Sequence, residues 1–281
     1  MKVKISTDHK IGYQLLQLRK FINETAQHLA FDFSEAHFLP PLIGAYFTIR
    51  FNKELRSQYN NLSSYHEKLF FPSGLEAKDH YLIAKYLNLE YLPYIKFNTS
   101  KNPELSNQRE NLLSLAGRNI TRHFSLNHET GIIYMISELT DNIVDHANSN
   151  FGIITYKFFE EQAFIDICIA DGGIGVMGSY QQYSLSDKYK FIDNSIIALD
   201  SLIKGNSTKL EYQDERGFGV HTSRRMLIEG LGGTFVLLSG NALLVNYHIA
   251  DFKANYPGTI ILLRIPIASL SSNFNYLDYV V

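Results

Sequence analysis

A chain of 281 residues with 45% hydrophobic and 19% charged content and a formal net charge of −2 has enough apolar material for a sizeable core, on the scale of about two domains. The near-neutral balance carries no basic stripe, which removes electrostatic support for nucleic acid as a partner. Cys168 is the only cysteine, which excludes internal disulfides and cysteine zinc clusters; no apolar run approaches the ~20 residues that cross a bilayer, and the start Met1-Lys-Val-Lys-Ile lacks a signal-peptide core, so a cytoplasmic, reducing setting without membrane contact is expected.

From the N-terminus, residues 13–25 space Leu15, Leu16, Leu18, Phe21 and Ile22 as in a helix. Residues 28–33 read as a short strand. Pro40-Pro41 opens a helix reaching to about Leu55, since proline fits a first helical turn. Residues 77–87 read as helical and 91–97 as extended. The polar run 98–107, with Pro103 in it, is the clearest seam. It separates a small α/β unit over 1–100 from a second domain over 108–270 and a tail over 271–281.

In the second domain, Ser125 or Asn127 caps a helix over 128–147. Strands 151–159 and 163–170 follow, with Cys168 as a small buried hydrophobe. Helices 194–204 and 224–230 come next, then strands 233–239, 242–249 and 259–267. This order predicts an α/β sandwich of two layers, a mixed sheet with helices on one face. The tail, with its tyrosines and phenylalanine, reads equally as a docking segment or an edge strand.

On the helix over 128–147, at about 100° per residue, Ile132, Ile136, Leu139 and Ile143 share a narrow sector that should pack on the sheet. Glu138, Asn142, Asp145 and His146 share another, with Glu138, Asn142 and His146 one turn apart in series. A solvated polar face would look the same. As a site, an amide oxygen is a hard ligand suited to Mg2+, and a glutamate one turn away can orient or deprotonate a water or hydroxyl. His146 also fits as a helix-end residue stabilised by the dipole.

Two glycine clusters follow. In Asp171-Gly172-Gly173-Ile174-Gly175 an aspartate ends an apolar strand; its carboxylate could accept from an exocyclic amine, or simply cap a helix. In Arg216-Gly217-Phe218-Gly219 the glycines could present N–H groups to phosphates at a helix start, with Arg216 beside them. Gly173-Ile-Gly175-Val-Met-Gly178 also fits a dinucleotide pattern. The polar stretch 181–190, however, makes a poor helix between two buried strands. No Gly-x-x-x-x-Gly-Lys-[Ser/Thr] loop occurs.

The order Glu138-x-x-x-Asn142-x-x-x-His146, Asp171-x-Gly173-x-Gly175, Gly217-x-Gly219, Gly232-Gly233-Thr234 and Pro257-Gly258-Thr259 resembles the GHKL ATPase superfamily. The nearest flavour is the histidine-kinase-like ATPase domain, including the anti-sigma-factor serine kinases, over roughly residues 110–267. The resemblance implies a Bergerat-type fold and ATP with Mg2+ as cofactors. It implies that Asn142 ligates the metal, that Glu138 is the general base or orients the attacking group, and that Asp171 binds the adenine amine with help from Thr259. Gly173 and Gly175 would shape the pocket floor. Residues 204–219 would form a mobile lid, with Arg216, Gly217 and Gly219 at the phosphates.

The N-terminal unit is more distantly similar to the STAS-like fold of anti-sigma-factor antagonists. Pro40-Pro41-Leu-Ile-Gly-Ala stands where a phosphoacceptor serine would sit, so docking or packing is its expected role. Three functions are compatible with the set: ATP hydrolysis or phosphorylation of a partner protein on serine or threonine, an ATP-gated interaction switch with little turnover, and an interaction scaffold that keeps the fold without binding nucleotide. A regulatory protein partner is expected, and a homodimer is compatible with the sequence.

Overall fold

The computed structural model describes residues 2–5, 8–25, 30–51, 58–182, 189–206, 219–268, 270–271 and 273–280. The N-terminal part opens with β1 (Lys2–Lys4), α1 (Ile11–Thr25), β2 (Ala30–Asp32), α2 (Pro41–Arg50) and β3 (Tyr59–Asn60). The three strands pair in parallel in the order β1-β2-β3. The short helix α3 (Ser64–Lys68) and a 3-10 segment, Ala77–Tyr86, lead to β4 (Ile95–Asn98). Pro41 stands in the first turn of α2, where a missing N–H costs nothing. The described part of that helix ends at Arg50, with Phe51 extended; the rest of the predicted span, residues 52–55, lies outside the described residues.

The second part runs α4 (Pro103–Thr121), α5 (Leu126–His146), β5 (Phe151–Phe159), β6 (Phe164–Asp171), α6 (Gly175–Gln182), α7 (Ser195–Ile203), α8 (Gly219–Arg225), a π turn Met226–Gly230, β7 (Thr234–Val245), β8 (His248–Pro266) and a 3-10 turn Tyr276–Asp278. Strands β4 to β8 form one sheet in the order β4-β5-β6-β8-β7. Its edge strand β4 comes from just before the polar run 98–107 and pairs with β5.

Three expectations about this sheet are corrected. Every neighbouring pair is antiparallel, so the sheet is not mixed. The helices between β6 and β7 suggested a parallel return, but β8 inserts between those two strands and runs against both. The predicted strands 242–249 and 259–267 are not separate. Ala242–Val245 continues β7, Asn246-Tyr247 turns the chain, and His248–Pro266 is a single long strand. The dinucleotide pattern at Gly173–Gly178 opens the helix α6, yet β6 has only antiparallel neighbours and no adjacent βαβ unit exists.

The third correction concerns the layers, because helices cover both faces. In the register, Ile154, Ile169, Ile261 and Leu237 form a cross-strand row buried with Ile132, Ile136, Leu139 and Ile143 of α5 and Leu112, Ala116 and Ile120 of α4. The next row, Ile153, Ala170, Ile260 and Leu238, faces the other way. It is buried with Leu18 and Phe21 of α1 and Ile43, Tyr46 and Phe47 of α2. Side chains alternate faces along a strand, so a strand sandwiched on both sides loses its polar alternation; β6 is buried from end to end. Cys168 sits in this second core, and burial raises its thiol pKa. The one acid inside β6, Asp166, faces Arg264 directly across the β6–β8 ladder at 2.7 Å. Arg264 also donates to the His9 carbonyl, tying the N-terminal segment to the sheet.

Candidate functional site

α5 begins at Leu126 after Ser125, whose hydroxyl meets His128 Nδ1 at 2.6 Å. Its apolar sector is buried: Ile132, Ile136, Leu139 and Ile143 are at most 4% exposed. The other sector, with Glu138, Asn142, Asp145 and His146, lines a cavity of about 750 Å3. Asp171, Gly175, Gly219 and Thr259 line the same cavity. The amide and the strand-end acid expected to act together therefore share one space.

Asp171 is the last residue of β6, on the face carrying Ile167 and Ile169, and is 1% exposed. Its Oδ1 accepts from the Gly173 N–H at 2.7 Å, and Thr259, its partner across the β6–β8 ladder, also hydrogen-bonds it. Burial outweighs these bonds and lifts the carboxyl pKa from its ordinary value to about 7. Tyr256 donates to the Asp171 carbonyl at 2.5 Å, fixing the backbone from behind.

The glycines have steric reasons. Gly175 holds φ +66°, and a Cβ there would sit 2.7 Å from Ser239 Oγ and 2.8 Å from the Pro257 carbonyl. Gly173 lies behind the cavity wall, where a Cβ would run into the Ala147 carbonyl; it positions the Asp171 loop and is not itself part of the lining. Gly219, the first residue of α8, lies against the Glu138 carboxylate, and a Cβ there would push that carboxylate aside. Arg216 and Gly217, with most of the predicted lid, lie outside the described residues.

Asn142 Nδ2 donates to the Glu138 carbonyl at 2.7 Å. The amide oxygen takes no part in that bond and, with the second N–H, is what Asn142 can offer to a ligand. Among the described residues no group of three or more His, Cys, Asp or Glu is placed to hold a metal ion. The Asn142 amide oxygen is a hard donor of the kind that suits Mg2+.

Several lining residues escaped sequence reasoning. Lys101 stands at the rim 3.0 Å from Asp145, and Arg109 on α4 donates to the Ser100 carbonyl and Ser106 Oγ at 2.9 Å. Ser179 and Tyr180 come from α6, and Tyr180 donates to the Asn206 carbonyl at 2.5 Å. A signal for α4 existed: Asn102-Pro103-Glu104 is a cap followed by proline at the first helical position, and Asn102 Oδ1 accepts from the Glu104 N–H at 3.0 Å. Val280, near the end of the tail, also reaches the cavity. The described residues of the tail form no edge strand. Phe274 stacks on His128 and Tyr279 and touches the Gly131 position of α5.

No protein-family model matches the chain, and neither the curated proteins nor the solved structures contain a match. No helix among the described residues is long and apolar enough to cross a membrane.

Proposed function

We propose that the chain binds Mg-ATP in the 750 Å3 cavity, in the manner of the GHKL superfamily, and uses it for hydrolysis or for phosphorylation of a partner protein on serine or threonine. The carrying observation is the convergence of Glu138, Asn142, Asp171, Gly219 and Thr259, scattered over more than a hundred positions of sequence, on one cavity. In this reading the sheet with α4 and α5 on one face is a Bergerat-type layer pair, and the N-terminal α/β unit is a STAS-like addition to its other face. The partner is a regulatory protein, which the N-terminal unit helps to dock.

Each chain residue has a role. Asp171, with Thr259 bonded to it, accepts the exocyclic amine of adenine. The Asn142 amide oxygen ligates Mg2+, which neutralises phosphate charge when bound. Glu138 orients or deprotonates the attacking hydroxyl or water, and the bare Gly219 lets α8 approach that carboxylate. Arg216 and Gly217 would meet the phosphates. Phosphoryl transfer is largely positioning and charge neutralisation, which this set can supply. An ATP-gated switch without turnover shares the same binding residues and differs only in what Glu138 does.

The test is a thermal melt with and without Mg-ATP, followed by a phosphate-release assay. At a ligand concentration about 100 times Kd, bound nucleotide should add about 2.7 kcal/mol of stability. Asn142→Ala should erase most of the Mg-dependent shift. Glu138→Ala should keep the shift and lower turnover by about 100-fold or more. A wild-type melt indifferent to Mg-ATP would refute nucleotide binding, and unchanged turnover in Glu138→Ala would leave only the switch.

A further inference from the structure

A second cavity, of about 580 Å3, lies behind the Asp171–Gly173 loop, between that loop and the C-terminal end of α2. Ile49 and Tyr256 give it apolar walls, and Arg50, Lys96 and Glu76 bring charge to it. Lys96 Nζ is 3.2 Å from Glu76, so that acid offsets one cation. Arg50 is exposed to the cavity and forms no hydrogen bond or ion pair among the described residues. Among the described residues the lining thus keeps one guanidinium without an acid, whose planar fork suits a carboxylate or sulfonate, beside an aromatic residue.

The same wall supports the first cavity. Tyr256 lines the rear space, and its hydroxyl holds the Asp171 carbonyl at 2.5 Å. Gly172 lines the rear space too, pressed so closely on α2 that a Cβ would stand 2.8 Å from Ile49 Cγ2. Anything that shifts Tyr256 or the end of α2 shifts the loop carrying the Asp171 carboxylate.

We propose that the rear cavity is a second binding site, for a small aromatic monoanion, and that its occupancy changes ligand affinity at the Asp171 cavity. The coupling half rests on the nucleotide reading above; the site half does not. Coupling of this kind is reciprocal, so each ligand must change the other's affinity by the same factor.

The probe is 8-anilinonaphthalene-1-sulfonate, titrated into the full chain and followed by fluorescence. Two variants report on the rear site: Arg50→Glu reverses the guanidinium's charge, and Ser73→Trp fills the mouth from an exposed lining position. Each is first checked for an unchanged melt. Saturable dye binding weakened about tenfold by each variant is expected, a loss of about 1.4 kcal/mol. Dye and Mg-ATP should bind together and alter each other's Kd by one common factor of at least about twofold. Dye affinity untouched by both variants, or complete displacement of the dye by Mg-ATP, would overturn the site. Simultaneous binding with no mutual effect would overturn the coupling. If Mg-ATP does not bind at all, the nucleotide reading and the coupling fall together, and the two variants still decide the site.

Discussion

Asp171 is where burial and chemistry meet most sharply. A carboxyl pushed to about 7 by burial is protonated in the folded chain at pH 5 and largely ionised at pH 8, whereas in the unfolded chain it is ionised at both. The folded pKa is the raised one, so the stabilising contribution of the proton is complete below about pH 4 and is lost as pH climbs through about 7. Urea titrations should therefore show wild-type stability falling between pH 5 and pH 8. Asp171→Asn, which keeps an acceptor for the Gly173 N–H but cannot ionise and turns an amide N–H toward the donors of Thr259, should flatten that part of the profile. A variant with the wild-type slope would show that another group carries it. Asp166 behaves differently because Arg264 answers it across the ladder. Asp166→Ala leaves a mostly buried guanidinium without its acid, and chemical denaturation should record a loss of about 3–5 kcal/mol.

At the scale of elements, what was legible in the sequence was local. The two sectors of α5 follow from spacing alone, and the structure buries Ile132, Ile136, Leu139 and Ile143 and turns Glu138 and Asn142 into the cavity. The glycine run after Asp171 was legible because a strand end followed by glycines has few conformational uses. α4 was not read, because its polar start resembled a linker and its apolar stripe, Leu112, Ala116 and Ile120, recurs only every fourth residue. With it went Lys101 and Arg109, which no motif marks. The cap should still be measurable. Asn102→Ala removes the acceptor for the Glu104 N–H, and stability should drop by about 1 kcal/mol in thermal or urea melts; no change would mean that Pro103 alone sets the helix start. The β7–β8 hairpin was misread as three strands for a related reason. Gly240, at φ +61°, and the register shifts around it look in sequence like the end of a strand, while in space they only kink it.

The architecture of the whole molecule was the least visible part, since nothing local tells a strand which chain segment will cover its second face. The Ile153, Cys168, Ala170, Val236, Leu238, Ile260 and Leu262 side chains are buried only because α1, α2 and their neighbours lie over them. The N-terminal unit and the sheet share a core, so separating them exposes a broad apolar surface. A fragment of residues 91–281, which keeps the edge strand β4, should accordingly self-associate or fail to give a cooperative melt, as judged by gel filtration and calorimetry. A monomeric, cooperatively melting fragment would show that the sheet stands alone.

The central strand of that sheet has one more consequence. β6 is hydrogen-bonded on both edges and covered on both faces, so no local fluctuation can hand its amides to solvent. Their deuterium uptake should proceed only through global opening and report the full unfolding free energy, while the amides around Asn246 and Tyr247 at the hairpin tip exchange through small, fast excursions.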